Sequence, residues 1–137
     1  MNKFNNSEKK GPGRKKVVVK YNDLFKNKET GKELVKIFRK YHYTDKNNLW
    51  IGESKVKNEL AIAYYVLKLP EHEFQLIKTG DKKNQLIAFY KEFGLTVAKR
   101  IEDGVYTTER NLLTEPAYGD VHDNFKSLFK QLPRYKF

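Results

Sequence analysis

Apolar side chains recur three and four residues apart in several stretches, and this spacing constrains the fold more than any other property of the chain. Leu34, Ile37, Phe38 and Tyr41 set a helix over 30–41, with Lys32, Lys36 and Lys40 elsewhere on its surface. Val56, Leu60, Ala63, Tyr64 and Leu67 set a second over 54–68, opened by Ser54 as N-cap and stopped at Leu69-Pro70. Pro70 at the entrance, Glu71 and Glu73 in the first turn, and Phe74 and Ile77 set a short helix over 71–79, ended by Gly80. Asp81 then caps a helix over 81–93, where Leu86, Phe89, Tyr90 and Phe93 share a face and Gly94 closes it. The last stripe, Val121, Phe125, Leu128, Phe129 and Leu132, sets an amphipathic helix over 120–132 that Pro133 ends.

Between Gly94 and Thr114 the character changes. Leu95 to Ile101 and Val105 to Leu112 are rich in β-branched and aromatic residues, and Glu102-Asp103-Gly104 lies between them. An Asp-Gly pair between such runs signals a tight turn, so a β-hairpin over 95–113 is expected. The predicted class is mainly α with one β-hairpin, an α+β fold. Residues 1–16 hold almost no apolar side chain and read as a disordered basic arm, leaving 17–137 as a single globular domain. Val17-Val18-Val19 with Tyr21 reads as a short strand or a strap on the domain surface.

Charge bears on partners. The 137 residues carry 28 Lys and Arg against 17 Asp and Glu, a net +11, and the first twenty residues alone contribute seven basic side chains and one acidic. Such a surplus favours polyanions, nucleic acid first and an anionic membrane surface second. No cysteine occurs, which removes disulfides, thiolate zinc sites and cysteine nucleophiles together. The longest apolar run, Leu60 to Leu67, is far too short to cross a bilayer, so a soluble, cytoplasmic protein is expected.

The stretch from Asn84 to Glu115, NQLIAFYKEFGLTVAKRIEDGVYTTERNLLTE, resembles the last helix and wing of bacterial winged helix-turn-helix regulators. There a helix closed by a Gly-Leu pair precedes a charged hairpin with a central glycine. Taking Ser54 to Gly80 as the first two helices extends the resemblance over about 54–115. It implies a DNA-binding core whose helix 81–93 lies on the duplex, with Lys82, Lys83, Asn84, Gln85 and Lys91 as its contacts. In the implied wing, Lys99, Arg100 and Arg110 flank the tip, placed for backbone or the minor groove, while Glu102 and Asp103 at the tip repel phosphate; a wing that binds by its flanks and one that does not touch DNA both fit. The arm Gly11 to Lys16, GPGRKK, partly resembles an AT-hook, with Lys15 where proline is expected. Its cations Lys9, Lys10, Arg14, Lys15 and Lys16, with Lys20, are candidates for phosphate contact. The plainer alternative is equally physical: lysines in a first helical turn, or opposite each other across a hairpin, are ordinary solvated charges.

Catalysis finds no motif. His42, His72 and His122 are far apart in sequence with no partner at metal-ligand spacing, and Ser54 and Ser127 lack a nucleophile context. No enzyme activity, metal or cofactor is expected. The leading expectation is a non-enzymatic DNA-binding protein, a regulator or a DNA-organising or packaging accessory; the same chemistry serves RNA. The alternative is a structural or adaptor component of a large nucleoprotein or virion assembly. The stripe over 120–132 serves either packing on its own domain or a homo-oligomer contact.

Overall fold

The computed structural model describes residues 19–51, 59–68 and 75–132. A 3-10 turn, Tyr21–Leu24, leads into α1, Lys28–Lys40; α2 is Glu59–Lys68, α3 Lys82–Glu92, α4 Lys99–Asp103 and α5 Val105–Thr114; a second 3-10 turn, Pro116–Tyr118, precedes α6, Gly119–Phe129. Every regular element among the described residues is helical. The only strand-like pairings among them are two isolated bridges, Phe25 with Ile77 and Thr44 with Trp50.

Helix α2 lies at the centre. From Leu60 to Leu67 no residue is more than 2 % exposed, and α3, α5 and α6 all pack on it. A helix that is apolar on every side is stable only when surrounded, and each large side chain buried this way contributes about 1.5–3 kcal/mol. The other helices are one-faced. In α1, Leu34, Ile37 and Phe38 face inward, the Asn27 side chain accepts from Glu29 N at 2.9 Å to cap the start, and Arg39 and Lys40 suit the end.

Aromatic rings fill the space between α1 and the later helices. Phe38, fully buried, has its ring within 6.2 Å of those of Tyr43, Trp50, Phe93, Phe125 and Phe129. The leading turn is strapped across α1, where the Tyr21 hydroxyl donates to the Gly31 carbonyl at 2.7 Å. Gly31 permits that approach, since a Cβ there would stand 2.8 Å from the Phe25 ring. Gly94 ends the turn after α3 at φ +76°, and a Cβ there would also meet Leu49. Gly94→Ala is therefore expected to cost about 1–2 kcal/mol in urea unfolding, chiefly from the left-handed backbone.

The expected β-hairpin over 95–113 is not there, and with it goes the wing; among the described residues the fold is all-α where α+β was predicted. Gly104 is the joint between α4 and α5, at φ −113°, not the positive φ that an Asp-Gly hairpin turn requires. Ile101, Val105 and Leu112 are buried while Tyr106 and Thr107 are exposed, a face of helical period and not of alternation. Packing against α2 outweighs the β-branched propensity of this stretch.

The short helix predicted over 71–79 lies partly outside the described residues, and its described part is not helical. Leu76 and Ile77 are both buried on an extended segment, held by Lys26 N donating to Leu76 O at 3.0 Å and Lys78 N to Leu24 O at 2.7 Å. Thr79 and Gly80 thus follow an extended segment and do not join two helices where the sequence placed that turn. Residues 54–58 of the second predicted helix, and Val17 and Val18, lie outside the described residues. No helix among the described residues is long and apolar enough to cross a membrane.

Candidate nucleic-acid interface

The candidate contacts on α3 divide by face. Gln85 is 5 % exposed and sits inside a polar knot: its Oε1 accepts from the Tyr64 hydroxyl at 2.6 Å and Lys68 Nζ at 3.1 Å, and its Nε2 donates to Lys78 O at 2.9 Å. It is bound to the core of the fold and is not placed to meet a base. Lys82 is drawn inward too, paired with Glu109 of α5 and with its ammonium 4.8 Å from the centre of the Tyr106 ring. Lys83 leans on Glu102 of α4 at 3.8 Å. The two lysines at the start of α3 thus brace it against α4 and α5, with a carboxylate beside each. Lys83, Asn84, Ile87 and Lys91 make the outward stripe.

The cations assigned to a wing are on helices. Lys99 pairs with Asp103 one turn along α4 at 3.0 Å, and that bond together with the Asp103 charge raises its pKa above the ordinary lysine value. Arg100 borders a cleft beside α5, and Arg110 is exposed on α5. Lys20 is exposed next to the turn that straps α1. Lys9, Lys10, Arg14, Lys15 and Lys16 lie outside the described residues.

The cations that the fold lines up are not those expected from the sequence. Lys28, Lys32, Lys36 and Lys40 are four residues apart on α1, so they form one row inclined only slightly to the helix axis, and all four are exposed. Arg39 stands beside the row, its guanidinium donating to Asn48 Oδ1 at 2.5 Å, and Lys46 is exposed on the loop that follows. Glu29 and Glu33 pair with Lys32 and Lys36 at 3.6 and 3.1 Å across exposed surface, contacts of small energy. Lys28 and Lys40 have no carboxylate partner among the described residues.

The charge balance follows the same division. Residues 19–51 hold eight basic and four acidic side chains, whereas residues 75–132 hold nine and eight. The excess on the described surface therefore lies with α1 and its flanks, not with α3. The four-residue lysine spacing was the available signal.

Among the described residues no group of three or more His, Asp or Glu is placed to hold a metal ion. His122 is buried, with Nε2 against the Leu112 carbonyl, His42 is exposed after α1, and His72 lies outside the described residues. The half-buried Lys68 has its pKa lowered by burial and by the nearby Lys82 charge, with Glu109 opposing. No family model, curated protein or solved structure matches this chain.

Proposed function

We propose that this chain is a non-enzymatic DNA-binding protein that holds the phosphate backbone without reading sequence, through the α1 lysine row and the basic residues 1–20. The observation that carries this reading is the exposed row Lys28, Lys32, Lys36, Lys40, set where the described surface has its cation excess. Four residues of helix rise about 6 Å, a pitch close to the separation of successive phosphates along a strand. The row covers about 18 Å, three such separations. Lys20 adds to the same surface, because it precedes the turn bound to α1 through Tyr21 and Gly31.

A DNA-organising or packaging accessory fits this better than a regulator. Backbone contacts position a protein on a duplex but carry no sequence information, and of the two neighbouring side chains suited to adenine, Asn84 and Gln85, the second is engaged inside the fold.

The test is the salt dependence of binding to random duplex. Replacing Lys28, Lys32, Lys36 and Lys40 by Gln is expected to lower the log–log slope by about 0.9 for each phosphate that is no longer neutralised, and deleting residues 1–16 by several units more. Lys83→Gln with Lys91→Gln is expected to leave the slope unchanged. A slope that ignores the α1 variant and follows the α3 variant overturns the assignment to α1. Absence of duplex binding at low salt overturns DNA binding itself and returns the chain to the adaptor reading.

A further inference from the structure

A cleft of about 730 Å³ opens between α4, α5 and the Pro116–Tyr118 turn, and the nucleic-acid reading makes no use of it. Its size is that of a small-molecule site, typically about 300–1,000 Å³. Six polar side chains border it: Arg100, Thr107, Thr108, Asn111, Glu115 and Tyr118. None of the six makes a side-chain hydrogen bond or ion pair with another group among the described residues. That contrasts with the knot around Gln85, where each polar atom has a protein partner. Ile101 and Leu112 supply apolar wall beside them.

The lining is ordered by charge. Thr108 and Asn111 follow one another along one face of α5, with the cap residues Gly104 and Glu115 just before and just after the helix. The main chain of Arg100 belongs to the Gly104 end, since Gly104 N donates to its carbonyl at 3.1 Å. Glu115 and Tyr118 belong to the other. Seven residues of helix from Thr108 to Glu115 rise about 10 Å. By main-chain position the cleft thus runs from Arg100, Thr107 and Thr108 at one end, past Asn111, to Glu115 and Tyr118 at the other.

We propose that this slot binds a guanosine 5′-phosphate, with Arg100, Thr107 and Thr108 on the phosphate and Glu115 on the base. A guanidinium and hydroxyls are donors suited to phosphate oxygens. An ionised carboxylate only accepts, so it selects a base edge with two adjacent donors. Guanine has such an edge in N1–H and N2–H₂. Adenine and cytosine each place an acceptor next to their amino group, and uracil has a single donor between two acceptors. Asn111, both donor and acceptor, lies where the ribose or the guanine O6 would pass. Tyr118 and the Ile101–Leu112 wall offer faces for the flat base.

This site is separate from the α1 row, so free mononucleotide tests it without reference to duplex binding. Guanosine 5′-monophosphate added to the full-length protein is expected to shift the amide resonances of Thr107, Thr108, Asn111 and Glu115 in a saturable way. Its affinity is expected to exceed that of adenosine 5′-monophosphate by about tenfold or more. Arg100→Ala is expected to weaken the monophosphate about tenfold while leaving guanosine unchanged. Glu115→Gln is expected to abolish the preference over adenine. Both replaced residues are exposed, and circular dichroism confirms that the variants keep their helix content. A trinucleotide beginning with a 5′-phosphorylated guanosine identifies the source: the same shifts point to strand ends, and shifts from the mononucleotide alone point to a free nucleotide. Unmoved cleft resonances at millimolar nucleotide, equal response to both bases, or shifts that survive both variants overturn the proposal.

Discussion

Raising the pH through 10.0, the ordinary tyrosine value, is expected to unfold the chain cooperatively, with tyrosinate absorbance and loss of helix rising together. Tyr21, Tyr64, Tyr65 and Tyr90 are each at most 6 % exposed. Burial, before any neighbouring charge, holds all four pKa values above the ordinary one, that of Tyr90 at about 12 and those of Tyr21, Tyr64 and Tyr65 well above 10.0. Three of the hydroxyls also donate: Tyr21 to Gly31 O at 2.7 Å, Tyr64 to Gln85 Oε1 at 2.6 Å and Tyr65 to Val105 O at 3.4 Å. A tyrosinate at any of these places would face a carbonyl oxygen with no proton between.

The sign follows from proton binding. A raised folded-state pKa gives stability that is fully present below the unfolded value and is lost as pH climbs toward the folded one. Each such group removes about 1.4 kcal/mol per pH unit above the unfolded value, so four together remove about 5.5 kcal/mol per pH unit. Typical domains hold only about 5–15 kcal/mol in total, so the loss completes within about two pH units. Lys68 opposes this: its lowered pKa makes the fold gain stability as pH rises toward 10.5, but it is one half-buried group against four buried ones. Tyr65→Phe is expected to make the pH dependence shallower by about a quarter. Gradual tyrosine ionisation around 10 with helix content intact would show these rings to be solvated.

How far the sequence speaks for the fold depends on what decides each element. Helices α1, α3 and α6 lie where apolar spacing set them, within a few residues of the expected ends, because one-faced burial writes itself into the sequence as a period. The stretch 95–113 misleads because two local signals, an Asp-Gly pair and β-branched residues, agree on a hairpin. The deciding contact is instead with α2, more than thirty residues earlier. The same weak periodicity was present in Ile101, Val105 and Leu112, spaced four and seven apart. For the candidate site, the α1 lysine row is fully legible in its spacing, yet it does not stand out there because charge on the outer face of a helix is the ordinary case. The cleft is not legible at all, since Arg100 and Glu115 become ends of one slot only when α4 folds against α5.

Asn84 and Gln85 make the difference between sequence and fold measurable. Side by side in the chain, they carry the same functional group, and as free helix side chains they would serve adenine equally. The fold separates them: Asn84 is exposed, Gln85 nearly inaccessible. Asn84→Ala is expected to change stability by less than about 0.5 kcal/mol. Gln85→Leu, close in size, removes the acceptor of the Tyr64 hydroxyl and of Lys68 Nζ and the donor to Lys78 O. Leaving such groups unpaired costs about 1–3 kcal/mol for each one that stays dry. Lys68 is half-buried and turns to solvent, so the expected total is about 2–4 kcal/mol by urea unfolding. In a double-mutant cycle Tyr64→Phe is expected to couple to Gln85→Leu by about 1 kcal/mol or more, since the two share one hydrogen bond. Lys68 loses an acceptor for its charge in Gln85→Leu, so its amine should titrate lower still. Neither variant is expected to alter the salt slope of duplex binding. A neutral Gln85→Leu would mean that the side chain is free in solution, and would restore it as a candidate for base contact.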